Sequence, residues 1–285
     1  MSDRLQQVLD ELDPVAKPSE PQSPGEASAP TDLTFEYPLN ERIRTFLRLE
    51  HLLGKVTHFI PQEDPWMSRA AIEGILEILT VTTRTDTKTE ILKGLARNIS
   101  LIKHVQEGPE VDSKALQKLR DDLEQVASDL HRLGGQIGQA LHRDVFLKEI
   151  IRRSNPPGGT CGFDLPRYHH WLRQSPDLRQ LQLHTWMQEL QPLSRAVTLV
   201  LSLARTSGSP NAATAVGGLF QETLNTQLPV QLVRVTLPDA DDHLFPKISG
   251  YKNHFYIRFM STQETGQPPT PWPQDTTFSL AYCAF

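Results

Sequence analysis

Apolar residues recur at helical spacing from Ile43 to Ala204, and from Gly208 onward they alternate with polar ones. A change of period from 3.6 to 2 within one chain points to an α+β fold with segregated parts, because alternating βαβ units would interleave the two periods. The expected architecture is an antiparallel helical bundle followed by a carboxy-terminal antiparallel, sandwich-like β domain. One early strand breaks the order. Leu33-Thr34-Phe35-Glu36 reads as a strand ended by Pro38 that joins the later sheet. The expected division is an extension over 1–31, a strand segment over 32–39, a helical domain over 40–207 and a β domain over 208–285.

Local signals place the elements. Asn40 caps a helix running to about His58, with Ile43, Phe46, Leu47 and Leu53 inward. Ile72, Ile75, Leu76 and Leu79 mark a second helix, and Ile91, Leu92, Leu95, Ile99 and Ile102 a third that starts near Asp86. Asp112 caps a fourth whose Leu116, Leu119, Leu123, Val126, Leu130 and Leu133 form a heptad-like seam for another helix, in this chain or in a second copy. Gly134-Gly135 ends it. Ile137, Leu141, Val145 and Ile150 then predict a fifth helix to about Arg153. After the breaker Asn155-Pro156-Pro157-Gly158-Gly159, helices are expected at Leu165–Arg173, Asp177–Leu190 and Pro192–Thr206, with Pro192 in a first turn. Ala215–Leu224, Val230–Leu237, Gly250–Met260 and Thr276–Tyr282 read as strands.

Two basic stripes stand out on these elements. Arg44, Arg48, His51 and Lys55 return to nearly one angle on a helix and form a ridge. Lys252, His254 and Arg258 share one parity in GYKNHFYIRFM and project from one strand face, while Tyr251, Phe255, Ile257 and Phe259 take the other. The pattern suits an acidic partner.

Charge limits what that partner is. The formal net charge is −5, and residues 1–32 hold two basic side chains (Arg4, Lys17) against seven acidic ones, leaving 27 of the 29 basic and 27 of the 34 acidic residues for the rest. A neutral body does not suit a nucleic-acid binder, so the target is better a small acidic peptide. Residues 1–31, with five prolines among Ser, Glu and Ala, are expected to be disordered, although Leu5, Val8, Leu9 and Leu12 keep helical spacing. Two cysteines, no basic-then-apolar amino terminus and no long apolar run suggest a soluble protein of a reducing compartment.

Catalytic and cofactor chemistry finds little support. Cys161 in PGGTCGFDLPRYHHW has Asp164, His169 and His170 nearby, but no recognisable nucleophile signature, and a free cysteine is most often buried. Adjacent His169 and His170 diverge by about 100° on a helix and cannot chelate one ion. Neither Gly158-Gly159 nor Gly217-Gly218 carries the Lys-Ser/Thr of a phosphate loop. No metal and no cofactor is expected.

FEYPLNERIRTFLRLE, the PGGTCGFDLP turn with His169 and Trp171 after it, and FPKISGYKNHFYIRFM, in this order from about Leu33 to the end, resemble the ZapD family of FtsZ-binding cell-division factors. The resemblance implies a non-enzymatic cytoplasmic homodimer with a helical and a β domain, recruited to midcell. There it binds the acidic carboxy-terminal tail of FtsZ and bundles its protofilaments, with neither nucleic acid nor membrane as partner. It also implies a basic tail-binding pocket between the domains. The family's basic residues fall on Arg44, Arg48, Arg84, His169, Lys252, His254 and Arg258. His254 replaces an arginine of relatives, which implies a weaker, pH-sensitive contact. Another family arginine falls on Val145, with His142 and Arg143 beside it. Tyr168, Trp171 and Tyr256 are candidate apolar anchors or core. The alternative is an adaptor for acidic peptides of another cytosolic partner.

Overall fold

The computed structural model describes residues 32–84, 86–106, 113–154, 157–224, 230–238, 243–251, 254–262 and 266–284. The extension over 1–31, the expected cap Asp112 and the candidate Lys252 lie outside them. In order, the elements are β1 (Leu33–Pro38), α1 (Glu41–Phe59), α2 (Pro65–Arg84), α3 (Thr87–Gln106), α4 (Ser113–Arg132), α5 (Gln139–Arg143), α6 (Val145–Ser154), α7 (Pro166–Leu172) and α8 (Pro176–Ser207). Strands β2 (Pro210–Ala215), β3 (Leu219–Thr223), β4 (Val230–Leu237), β5 (Leu244–Tyr251), β6 (His254–Ser261), β7 (Thr270–Pro271) and β8 (Thr276–Ala284) complete the α+β fold. Described residues up to Arg44 and from Leu201 onward make one compact unit, and Thr45–Val200 the other. The division falls within α1 and within α8.

In the β unit, one sheet has the order β1-β4-β8-β2 and the second β3-β6-β5, with β7 on β6. All pairs are antiparallel, and β1 joins β4 with Phe35 opposite Val235, as the early strand signal predicted. Alternate residues of both sheets meet in one core of Val233, Val235, Phe255, Ile257, Phe259, Phe278 and Leu280. Arg205 forks onto Glu36 through Nε and Nη2 at 2.8 Å each, tying the end of α8 to β1. Between Val230 and Leu232 the β4 register shifts. Buried Gln231 there accepts from Arg42 and from Asn40 Nδ2, and its carbonyl accepts from the Leu39 amide at 2.9 Å. Asn40 Oδ1 takes the Ile43 amide at 2.9 Å, so the expected cap both starts α1 and pins its first turn to β4.

Two predicted strands each prove to be two elements. The stretch read as Ala215–Leu224 turns at Gly217 and Gly218, whose φ values are 55° and 73°, giving β2 and β3. A Cβ on Gly218 would collide with the Trp272 carbonyl oxygen. The stretch read as Gly250–Met260 takes in the end of β5 (Gly250 and Tyr251) and most of β6, while the rest of β5, Leu244–Ser249, lay outside the predicted strand and contains Pro246. Proline is tolerated there because β5 is a sheet edge.

Unit Thr45–Val200 is helical. Gly74 lets α2 approach α1 closely, since a Cβ there would stand 2.6 Å from Val56 Cγ2. The α4 seam packs on α3 of the same chain, with Leu116, Leu119, Leu123, Val126 and Leu130 buried. The fifth predicted helix divides at Asp144, whose backbone is extended (φ −60°, ψ 123°) and whose Oδ1 caps α6 on the Leu147 amide at 2.9 Å. Val145, expected to continue the apolar face, is therefore exposed. The two helices predicted around Pro192 are one, α8. Proline removes a single backbone donor, while Leu183, Trp186, Leu190, Leu193, Val197 and Val200 are all buried along the same helix and hold it continuous. Arg179, 3% exposed, donates to Ser68 Oγ (3.0 Å) and to the carbonyls of Leu172 (3.2 Å), Gln174 (2.6 Å) and Glu63.

Candidate functional site

The helix ridge forms as its spacing dictates. Ile43, Phe46, Leu49, Leu53 and Val56 bury one face of α1, which turns Arg48 and His51 to solvent and leaves Lys55 half-buried. The members differ in how far they are engaged. Arg44 is held by Glu41 Oε1 (3.1 Å) and the Pro38 carbonyl (3.4 Å), and its guanidinium lies 5.9 Å from the Tyr37 ring centroid. Lys55 pairs with Glu77 at 3.3 Å. Arg48 has no ion pair among the described residues. It lines a cleft of about 450 Å³ with His51, Leu76, Thr80 and the carboxylates of Glu73 and Glu77. The acidic side of this cleft comes from α2 and was invisible to periodicity on α1.

On the β unit, β6 alternates as predicted: His254, Tyr256 and Arg258 are exposed, and Phe255, Ile257 and Phe259 are buried. Pairing extends the exposed face across three strands. Arg258 lies between Leu219 and Lys247, Tyr256 between Gln221 and Ser249, and His254 opposite Thr223. His254 Nδ1 shares a hydrogen bond with Thr223 Oγ1 at 3.0 Å. Lys247, which sequence reasoning missed, thus stands beside Arg258 on the neighbouring strand, and no Asp or Glu occupies these register positions. The nearest acidic residue on β3, Glu222, has the opposite parity and accepts from the Tyr282 hydroxyl. Like charges placed directly opposite one another disfavour the folded sheet slightly, so the Lys247–Arg258 pair gains most when an anion binds over it. The missing signal was the alternation in LFPKIS, legible only once Pro246 is allowed on an edge.

The remaining candidates are scattered. Arg84 closes α2, but its side chain is outside the described residues. His169 is exposed on α7, its Nδ1 3.1 Å from where a Gly162 Cβ would be. At the Val145 position, half-buried His142 shares a hydrogen bond with Thr83 Oγ1 at 3.1 Å, and Arg143 is exposed. Tyr168 and Trp171 are core: both pack with Phe146, and Trp171 also with Trp186. Burial holds the Tyr168 hydroxyl well above the usual tyrosine range. Of these three candidate anchors, Tyr256, 49% exposed, is the one that solvent and a ligand can reach.

One thiol departs from expectation. Cys161 is exposed and Cys283 is buried. Burial pushes the Cys283 thiol from 9.0 up to about 11, with the neighbouring charges of Arg234, Glu36 and Arg205 partly offsetting one another. A raised thiol stabilises the fold below its ordinary range, and that contribution is lost as pH rises through 11. At pH 8 a thiol reagent should therefore titrate one group in the native protein, Cys161, and two after denaturation. Two equally fast groups in the native protein would contradict the placement of Cys283. Among the described residues no cluster of His, Cys, Asp and Glu could hold a metal ion, and no helix is long and apolar enough to cross a membrane.

Comparison with known proteins adds identity to this geometry. A family model, ZapD, described as a cell division protein, matches residues 47–258. Cell division protein ZapD of Aromatoleum aromaticum is 36% identical over 252 residues, covering 88% of this chain and 97% of that protein. Its namesake in Ralstonia nicotianae is 36% identical over 254 residues (89% and 100%), and that of Chromobacterium violaceum 34% over 253 residues (89% and 100%). These relatives are nearly fully covered, yet lack a stretch about as long as the amino-terminal extension. With a helical body, a β-sandwich and a family match over most of its length, the chain belongs to the ZapD family of cell division proteins.

Proposed function

We propose that the protein is a cytoplasmic division factor that captures the acidic carboxy-terminal tail of FtsZ at midcell. The observation that carries this is the cationic face of β5 and β6, where Lys247 and Arg258 sit side by side with no carboxylate on the described face. Arg48 on α1 supplies a second cation without an ion pair among the described residues. Guanidinium groups bind carboxylates in a bidentate fork, and a short acidic peptide offers several. Arg44, Arg84, His169, Lys252 and His254 are the further contacts in this reading. The role of Arg44 requires it to exchange Glu41 for a tail carboxylate.

Such exposed pairs are individually weak and screened by salt, so one tail binds loosely. A homodimer holding two tails on neighbouring filaments gains avidity, and bundling follows from linkage alone, with no catalytic step. Co-sedimentation with FtsZ polymers tests the reading. Recovery in the pellet should fall to background when FtsZ lacks its tail, and should decline steadily as salt rises from 50 to about 300 mM. Equal recovery with tailless FtsZ would remove the tail as the ligand.

A further inference from the structure

The charge of this chain is divided in a way the tail-binding reading does not use. The whole net charge of −5 resides in residues 1–32, whose carboxylates include Asp3, Asp10, Glu11, Asp13, Glu20 and Glu26. The rest of the chain is neutral overall, yet the β5–β6 face pairs Lys247 with Arg258 and carries no carboxylate among the described residues. The extension leads into β1, and β1 contacts β5 within one compact unit. Tyr37 Oη accepts from the Gly250 amide at 3.2 Å, and Leu39 Cδ2 stands 3.4 Å from where a Gly250 Cβ would be.

Reach follows from this anchor. Asp32 is a few strand residues from Tyr37, and Gly250 is three residues from Lys247, so at about 3.4 Å per residue the extension enters β1 within about 40 Å of Lys247. A coil of about 20 residues has a root-mean-square span of about 25 Å and stretches to about 70 Å. The acidic side chains of residues 10–26 can therefore arrive over the basic face without disturbing the sandwich.

We infer that the acidic amino-terminal extension occupies the cationic face formed by Lys247, Arg258 and His254 in its own chain, as a tethered competitor of the acidic peptide that binds there. The inference rests on the tail-binding reading for the identity of the displaced ligand, but not for the docking itself. Carboxylates of the extension face Lys247 and Arg258 as a ligand's would, and relieve the like-charge opposition between those two residues. Tethering raises the local carboxylate concentration to the order of millimolar, comparable with the dissociation constant of a few exposed ion pairs. Occupancy is then partial. The extension sets a threshold that a single tail must overcome, and that an array of tails along a polymer overcomes readily.

The test keeps the chain at full length and neutralises the extension: Asp3→Asn, Asp10→Asn, Glu11→Gln, Asp13→Asn, Glu20→Gln and Glu26→Gln together. Fluorescence anisotropy with two labelled peptides, hexaglutamate and the FtsZ tail, reads the basic face and the tail separately. Both should bind the neutralised variant about two- to fivefold more tightly than the parent, the ratio expected when tether concentration and intrinsic affinity are comparable. The gain should vanish in Lys247→Ala/Arg258→Ala. Zero-length carbodiimide cross-linking of the parent should join Lys247 to carboxylates of residues 1–31 within one chain. Equal hexaglutamate affinity for parent and neutralised variant, or absence of the Lys247 cross-link, would overturn the inference. Cross-links found only between isotopically distinct copies would also overturn it, by making a second copy the occupant. A hexaglutamate gain with no binding of the FtsZ tail to either protein would leave the docking standing and defeat the tail reading instead.

Discussion

Arg179→Ala is expected to destabilise the protein by about 3–5 kcal/mol, enough to leave it largely unfolded at 37 °C if its stability is that of an ordinary domain. The guanidinium is 3% exposed and serves four acceptors: Ser68 Oγ and the carbonyls of Leu172, Gln174 and Glu63. It thereby joins the start of α2, the end of α7 and the first turns of α8. Alanine would leave three carbonyls without their donor and a void among them. Each unsatisfied buried polar group costs about 1–3 kcal/mol, and the void adds to that. Arg179→Lys should recover less than half of the loss, because an ammonium keeps the charge but cannot present donors in a fork. Urea unfolding followed by far-ultraviolet circular dichroism measures both. A loss under 1 kcal/mol for the alanine variant would show that these carbonyls find other donors.

Arg179 also marks where sequence reading reached its limit. Its position in the helical pattern identifies the helix, but nothing local says that the Glu63 carbonyl and Ser68 Oγ, from a distant segment, converge on it beside the nearby carbonyls of Leu172 and Gln174. Features encoded within a few residues were legible: the Asn40 cap, the pairing of β1 with the later sheet, the span Val230–Leu237 and the burial alternation of β6. Errors arose where tertiary packing overrode a local breaker. Pro192 lies inside α8 because the buried faces on either side outweigh one lost hydrogen bond, and Pro246 lies in β5 because an edge strand needs no donor on its open side. Asp144 was the reverse case, a cap whose signal was hidden inside an apolar series that runs on through Val145 and Ile150. The candidate site divides the same way. Exposure of Arg48, His254 and Arg258 follows from period alone. Lys247 needed strand pairing to be found, and the Glu73 and Glu77 carboxylates beside Arg48 needed helix packing.

These pairings allow an experiment in which folding and binding move in opposite directions. Arg258→Glu places a carboxylate across from Lys247, converting a like-charge opposition into a cross-strand ion pair. The sheet should gain a few tenths of a kcal/mol to about 1 kcal/mol, so the melting temperature should hold or rise. Binding of the FtsZ tail should fall by about 10- to 100-fold, because one charge-assisted contact is lost, a repelling carboxylate takes its place and Lys247 is neutralised from within. Adding Arg48→Glu should bring co-sedimentation with FtsZ polymers to background, and Lys118→Glu on exposed α4 should leave it unchanged. A stabilised Arg258→Glu protein that still pellets fully would take the β face out of the interaction. If Arg48→Glu alone then abolished pelleting, the α1 ridge would be left as the tail's contact, and the amino-terminal extension would lose its proposed role as competitor there.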